Sequence, residues 1–229
     1  AGQVVFDMDG TNEDLFFLSN GHISPLIYSV LARRGYFPTA ELASFRKIDT
    51  RLQGHPTPHE HLEGIRIASG SLGQGLSVAI GAAQAKKLNG DSSTVFCLMG
   101  DGEQNEGQVW EAAMYAPHHK VDNLIAFIDE NGQQIDGPTE KVMSNRDLQA
   151  KYEAFGWNVM RMDGNNAEDI QNTLIKAKGA LGNGSPIMII MKTEMGAGVD
   201  FMMYSHKWHG VAPNDQQLQD ALAQLEETL

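Results

Sequence analysis

The sequence predicts an α/β chain, a three-layer α/β/α sandwich built on a mostly parallel sheet. Two observations lead there. Short runs that are apolar throughout, as in strands covered on both faces, alternate with longer amphipathic stretches. Glycine-rich loops punctuate the boundaries, at GSLGQG, GDGEQNEG, NGQQIDG, GNGS and GAG.

In chain order, segments 25–34, 39–45 and 72–88 read as helices. The last is rich in Ala and Gly (LSVAIGAAQAKKL), which suits a helix lying close on a sheet. The run VFCLM (95–99) reads as a strand, 106–115 as a helix and 124–129 as the next strand. A helix at 145–155, a strand at 157–162, a helix at 167–181 capped by Asn165 or Asn166, and a strand at 187–192 follow. Segment 214–227 reads as a closing helix with Leu218, Leu222 and Leu225 on one side. This alternation implies right-handed crossovers and a ligand site at the carboxyl ends of the strands. With no internal repeat or low-complexity linker, residues 1–229 read as a single domain.

The formal net charge of −12 excludes a general nucleic-acid or anionic-membrane surface, which needs basic clusters. It leaves room for a phosphorylated ligand held by loop amides, a helix N-terminus or a metal ion. Cys97 is the only cysteine, so no intrachain disulfide forms, in keeping with a reducing cytoplasm. Its apolar surroundings suit a structural thiol. No stretch approaches the roughly 18 apolar residues of a membrane span, and the first residues lack a secretory-signal layout. A cytoplasmic location is expected.

The loop GDGEQNEG, Gly100 to Gly107, follows directly on VFCLM and opens a helix. Its glycines allow close backbone approach to a phosphate, and the helix N-terminus favours negative charge. Asp101 conflicts with a bare anion site, unless a divalent cation stands between carboxylate and phosphate. Magnesium typically combines one or two protein oxygens with substrate phosphates. Asn131 and the carbonyl of Gln133 follow the next strand and converge on the same end of the sheet.

A lone GDG is weak evidence, but its flanks are specific. GDGEQNEGQVWEAA followed by HHKVDNLIAFIDENGQQIDGPTEKV resembles the diphosphate-binding domain of transketolases. SNGHISPLIYSVLARRGYF, RLQGHP and GSLGQG stand upstream in the family's order, and KTEMGAG and HKWHGVAPND downstream. The resemblance runs from about Asp14 to the end of the sequence. It implies thiamine diphosphate with Mg2+ (or Ca2+ or Mn2+ in its place), and transfer of a two-carbon ketol unit between sugar phosphates.

By that resemblance, Asp101, Asn131 and the Gln133 carbonyl coordinate the metal. Gly100, Gly102, Glu103 and Ile135 belong to the cofactor site, with Gly102 approaching the diphosphate through its amide. Gly70, Ser71 and Leu72 match a loop whose backbone touches the middle of the cofactor. His22 and His209 match histidines at the diphosphate, and His55 one that hydrogen-bonds the hydroxyls of the reacting two-carbon unit. Histidine suits these tasks because its pKa lies near working pH. Glu106 matches a glutamate at a subunit interface. His59, His61, His118, His119 and His206 lie outside matching motifs. Met188, Met191, Met195, Met202 and Met203 read as core filler.

Two family features are not found in the sequence: a first helix with an SGHPG-like motif carrying another histidine, through truncation or divergence of the first segment, and the pyrimidine-binding domain with its activating glutamate. The resemblance therefore implies a split transketolase. In it, two such chains pair with two copies of a pyrimidine-domain subunit, and this chain is inactive by itself. Met195 and Ala197 stand where relatives often carry lysines. VVFDMDGT (4–11) matches the nucleophile motif of haloacid-dehalogenase phosphatases through Asp7, Asp9, Gly10 and Thr11, but the remaining residues follow the transketolase order. The alternatives are 1-deoxyxylulose-5-phosphate synthase, 2-oxoacid dehydrogenase α subunits and a non-catalytic, cofactor-binding subunit. SNGH, GHP and IDGPT favour transketolase over the first two.

Overall fold

In the computed structural model, which describes residues 10–226, strand β1 (Leu15–Leu18) leads into helix α1 (Ser24–Arg33). A long loop then reaches α2 (Gly75–Leu88), β2 (Val95–Gly100), α3 (Gly107–His118) and β3 (Leu124–Glu130). A minimal antiparallel hairpin, β4 (Gln133–Gln134) and β5 (Gly137–Pro138), precedes α4 (Thr139–Val142) and α5 (Leu148–Phe155). The chain continues through β6 (Asn158–Asp163), α6 (Ala167–Gly179), β7 (Ile187–Lys192) and α7 (Asp215–Glu226).

Among the described residues five strands form one sheet in the order β1-β2-β3-β7-β6, and each of its pairings is parallel. The inward sides of α2, α3 and α5 pack on one face through Leu76, Ala83, Ala113 and Tyr152, against Cys97, Ala126 and Ile190. The alanines let these helices approach closely. On the opposite face, Ile125, Phe127 and Ile189 meet Ala177 of α6, while Leu18 meets Ile27 and Leu31 of α1. The result is the predicted three-layer α/β/α arrangement.

The central strands β3 and β7 are buried along most of their length, as their apolar runs require. The 157–162 run differs from expectation. It forms β6, an edge strand beginning at Asn158, with Asn158, Arg161 and Asp163 exposed. Its polar positions are the signature of an edge.

Helix starts shift where the backbone turns left-handed. The helix expected from residue 72 begins at Gly75, because Gly73 has φ +86°. The helix expected from 145 begins at Leu148, after Arg146 at φ +53°, with Asp147 Oδ1 capping the Ala150 amide at 2.9 Å. Asn166 caps α6 by accepting from the amides of Glu168 and Asp169. Segment 39–45 forms 3-10 turns over Thr39–Ser44 instead of an α-helix. None of those six residues is buried, so no apolar face offsets the cost of nucleation. The closing helix is described over Asp215–Glu226.

A polar bond deep in the first core ties α5 to the loop after β2. Tyr152 has no exposed surface, and its hydroxyl donates to Gln104 Oε1 at 2.7 Å. Tyr152→Phe is expected to cost about 1–3 kcal/mol, because the buried amide oxygen loses its donor. Urea denaturation midpoints check this, and an unchanged midpoint would remove the bond from the stability account.

Candidate functional site

The carboxyl ends of β1, β2 and β3 lie side by side, and each continues into a polar turn. After β1 come Ser19, Asn20 and His22. After β2 comes the GDGEQN turn, and after β3 come Asn131, Gly132 and the hairpin. Parallel register puts Gly100 opposite Asp129, so Asp101 begins where β3 is about to end.

Asp101 is buried at 3% exposure. Its Oδ2 accepts from the Gly132 amide at 2.8 Å and from the Thr139 hydroxyl at 3.4 Å. Burial pushes its pKa up to about 6, against the pull of the Gly132 and Gly102 amides and with a push from the nearby charge of Asp129. Asn131 is oriented by Asp129, whose Oδ2 accepts from Nδ2 at 3.1 Å. The Asn131 side-chain oxygen accepts from the Gln133 amide at 2.9 Å. The Thr193 hydroxyl donates to the other oxygen of Asp129. Asp129 had no role in the sequence-based expectation; its signal was its place at the end of a strand beside Asn131.

His22 and His209 stack, with ring centroids 5.1 Å apart and planes inclined at 27°. They come from opposite ends of the chain. The pKa of His22 is lowered by burial and by the charges of His209 and His55, and that of His209 by burial alone. Lowered pKa values favour neutral rings that can accept or donate a proton near neutral pH. His55 is exposed and lies against Gly70, where a Cβ would stand 2.6 Å from its ring. Gly70 has φ +117°, so an added side chain there meets both backbone strain and the imidazole. The structure thus gathers the three sequence-selected histidines.

Glu103 is turned inward at 1% exposure. Its Oε1 accepts from the Ser19 hydroxyl and from the Gly73 amide at 2.7 Å, and its Oε2 from the Gly100 amide at 3.1 Å. The side chain ties β1, the GSLGQG loop and β2 together, leaving its backbone as the part that can face a ligand. Ser71 is exposed and Leu72 half-buried in that loop. Ile135 is exposed at the hairpin tip. Glu106 stands at the N-cap position of α3 without a side-chain capping bond, exposed and close to Gly73. Asp7 and Asp9 of the phosphatase-like motif lie outside the described residues; Gly10 accepts the Lys86 ammonium through its carbonyl.

The donor set suits a cation shared with a diphosphate. Among the described residues no three His, Cys, Asp or Glu side chains gather as an all-protein metal cage. One buried carboxylate, one amide and a carbonyl match the sparse protein share of a magnesium–phosphate site. Asn20 Oδ1, Ser69 Oγ and Gln133 Oε1 are buried without a hydrogen-bond partner among the described residues. Such atoms call for a ligand or water. Asn20 was missed as a site candidate although it stands in the SNGH motif.

Comparison with known proteins fits this arrangement. Residues 6–226 match the family described as transketolase, thiamine diphosphate binding domain. The chain is 39% identical to the 6-deoxy-6-sulfo-D-fructose transketolase subunit SqwG of Clostridium sp. (strain MSTE9), covering 93% of this chain and 76% of that protein. It is 37% identical to one of the subunits of apulose-4-phosphate transketolase from Phocaeicola vulgatus, covering 96% and 76%. The crystal structure of Campylobacter jejuni transketolase superposes with a TM-score of 0.87 at 33% identity, over 96% of this chain and 35% of that one. The chain thus spans about three quarters of the length of those two relatives and about a third of the full enzyme. From the strand-end turns to these likenesses, the observations agree: the chain belongs to the transketolase family, in the part that forms its thiamine-diphosphate-binding domain.

Proposed function

We propose that this chain is the diphosphate-holding subunit of a split transketolase, moving a two-carbon ketol unit from a ketose phosphate to an aldose acceptor. The observation that carries this reading is the meeting of buried Asp101 with Asn131 and three histidines where β1, β2 and β3 end. The likeness to proteins named as transketolase subunits supports the division between two chains.

Bound thiamine diphosphate supplies an electron sink for breaking the carbon–carbon bond of the donor. Asp101, Asn131 and the Gln133 carbonyl hold Mg2+, or Ca2+ or Mn2+ in its place, and Gly100, Gly102 and the Glu103 backbone line the diphosphate. Gly70, Ser71, Leu72 and Ile135 flank the rest of the cofactor. His22 and His209 stand at the diphosphate end as catalytic histidines, His209 also reaching the donor sugar, and His55 hydrogen-bonds the hydroxyls of the reacting two-carbon unit. Residues 1–229 form the diphosphate domain, and a partner chain supplies the pyrimidine domain in an assembly of two plus two. No described helix is long and apolar enough to cross a membrane; with Cys97 buried and unpaired, we place the assembly in the cytoplasm.

The relatives named above act on a sulfonated ketose and on apulose 4-phosphate, so the donor panel must extend beyond xylulose 5-phosphate. The test is ketol transfer with thiamine diphosphate and Mg2+, using this chain with and without the chains that co-purify with it. Transfer only in the mixture is the expected result; no transfer from any ketose in either arm would overturn the proposal. In the active mixture, His55→Ala is expected to leave cofactor affinity within about twofold and to lower turnover on the order of a hundredfold. Wild-type turnover would take His55 out of the chemistry.

A further inference from the structure

The two arms of the proposed cation site, the turn with Asp101 and the hairpin with Gln133, are joined by a ladder of side-chain amides. Asn145, between α4 and α5, is 6% exposed. Its Nδ2 donates to the backbone carbonyl of Asp101 at 2.6 Å. Its Oδ1 accepts from Asn105 Nδ2 at 2.9 Å, and Asn105 Oδ1 accepts from Gln134 Nε2 at 3.0 Å. Gln134 neighbours Gln133 in β4, and its stem lies on Gly102, where a Cβ would stand 3.0 Å from Cγ.

The direction of this ladder is fixed by chemistry. A carbonyl only accepts, so Asn145 must present its NH2 to Asp101 and its oxygen to Asn105. Asn105 must then present its NH2 to Asn145, and the same nitrogen reaches the Met143 carbonyl at 3.3 Å. Its oxygen is left for Gln134. No rung can be flipped without setting like atoms face to face.

We propose that Asn145, Asn105 and Gln134 are positioning residues that set the span between Asp101 and the Gln133 carbonyl, and hence the fit of the divalent cation. This rests on the cation reading given above. None of the three touches the cation: Asn145 acts through the Asp101 backbone, and Gln134 through its place in the hairpin. Because the rungs share partners, they act as one unit and their losses do not add.

The test uses the chain with its co-purifying partner, Asn145→Leu, Asn105→Ala and the double variant, and Mn2+ as probe with thiamine diphosphate present. Each single change is expected to raise the apparent Kd for Mn2+ about tenfold, and the double change no further. Additive losses, or a lowered melting temperature with unchanged Mn2+ affinity, would overturn the proposal. Asn105 is only half-buried, so Asn105→Ala provides a folded variant if Asn145→Leu does not. Hydrogen exchange of the metal-free chain gives a second readout. Asn145→Leu is expected to loosen amides 133–137 together with 101–105, and loosening confined to 101–105 would overturn the ladder. If the unsubstituted protein binds no Mn2+ in a cofactor-dependent way, the cation reading falls and the proposed role falls with it.

Discussion

Asp101→Ala is expected to lower metal-dependent thiamine diphosphate affinity by at least about a hundredfold, since one metal oxygen and its charge vanish together. The pH dependence gives a second handle. With its pKa pushed up to about 6 by burial, Asp101 binds a proton more tightly in the folded chain than in the unfolded one. The associated stability is full below the unfolded value, near 4, and is lost as pH rises through 6. The loss is about 3 kcal/mol in the metal-free chain. A bound cation stabilises the ionised carboxylate and offsets that loss. Metal with cofactor is therefore expected to raise the melting temperature more at pH 8 than at pH 5, and Asp101→Asn to abolish the difference. Below pH 6, apparent metal affinity is expected to fall about tenfold per pH unit. Equal stabilisation at both pH values, or an Asp101→Ala chain that binds normally in calorimetry, would remove Asp101 from the metal site.

The second large effect is expected at Glu103. Removing its carboxylate leaves the Ser19 hydroxyl and the amides of Gly73 and Gly100 without their acceptor. Glu103→Ala is expected to destabilise the chain by about 3 kcal/mol, the loss of three buried bonds being partly offset by relief from burying a charge. Glu103→Gln is the sharper probe. It keeps the shape and an oxygen that accepts from Ser19 and Gly73, but sets its NH2 group against the Gly100 amide, so it is expected to recover only part of the loss. Denaturation midpoints for both variants decide the matter; a Gln variant as stable as wild type would show that shape alone suffices there.

The layers and the central strands were legible in the sequence because buried parallel strands are apolar throughout, as in LIAFIDE and IMIIMK. β1 was not read, since four residues, LFFL, are too few to carry a period. The hairpin at 133–138 was visible only as a glycine loop, its strands being two residues each. At the site, motif residues came from GDG and SNGH, and Asp129 and Asn20 stood beside or within those motifs unassigned, whereas the ladder residues Asn145, Asn105 and Gln134 were invisible. Their roles depend on which side chains face one another across distant turns, and spacing along the chain does not encode that. Glu103 illustrates the same limit: its motif placed it at the cofactor, while its burial shows that the side chain serves the scaffold.

The edge position of β1 bears on how the protein is assembled in time. Strands β2 and β3 are joined through one helix, but β1 pairs with β2 across the whole segment from Leu15 to Val95. Closing so long a loop costs entropy before any contact offsets it, and such pairings form slowly. The order of events that follows is a nucleus of α2, β2, α3 and β3, with β1 docking late. Since Ser19, Asn20 and His22 arrive only with β1, the fold is finished at the same step that completes the site. Ligand binding then stabilises that last docking, and β1 amides are expected to gain more hydrogen-exchange protection on cofactor addition than those of β3.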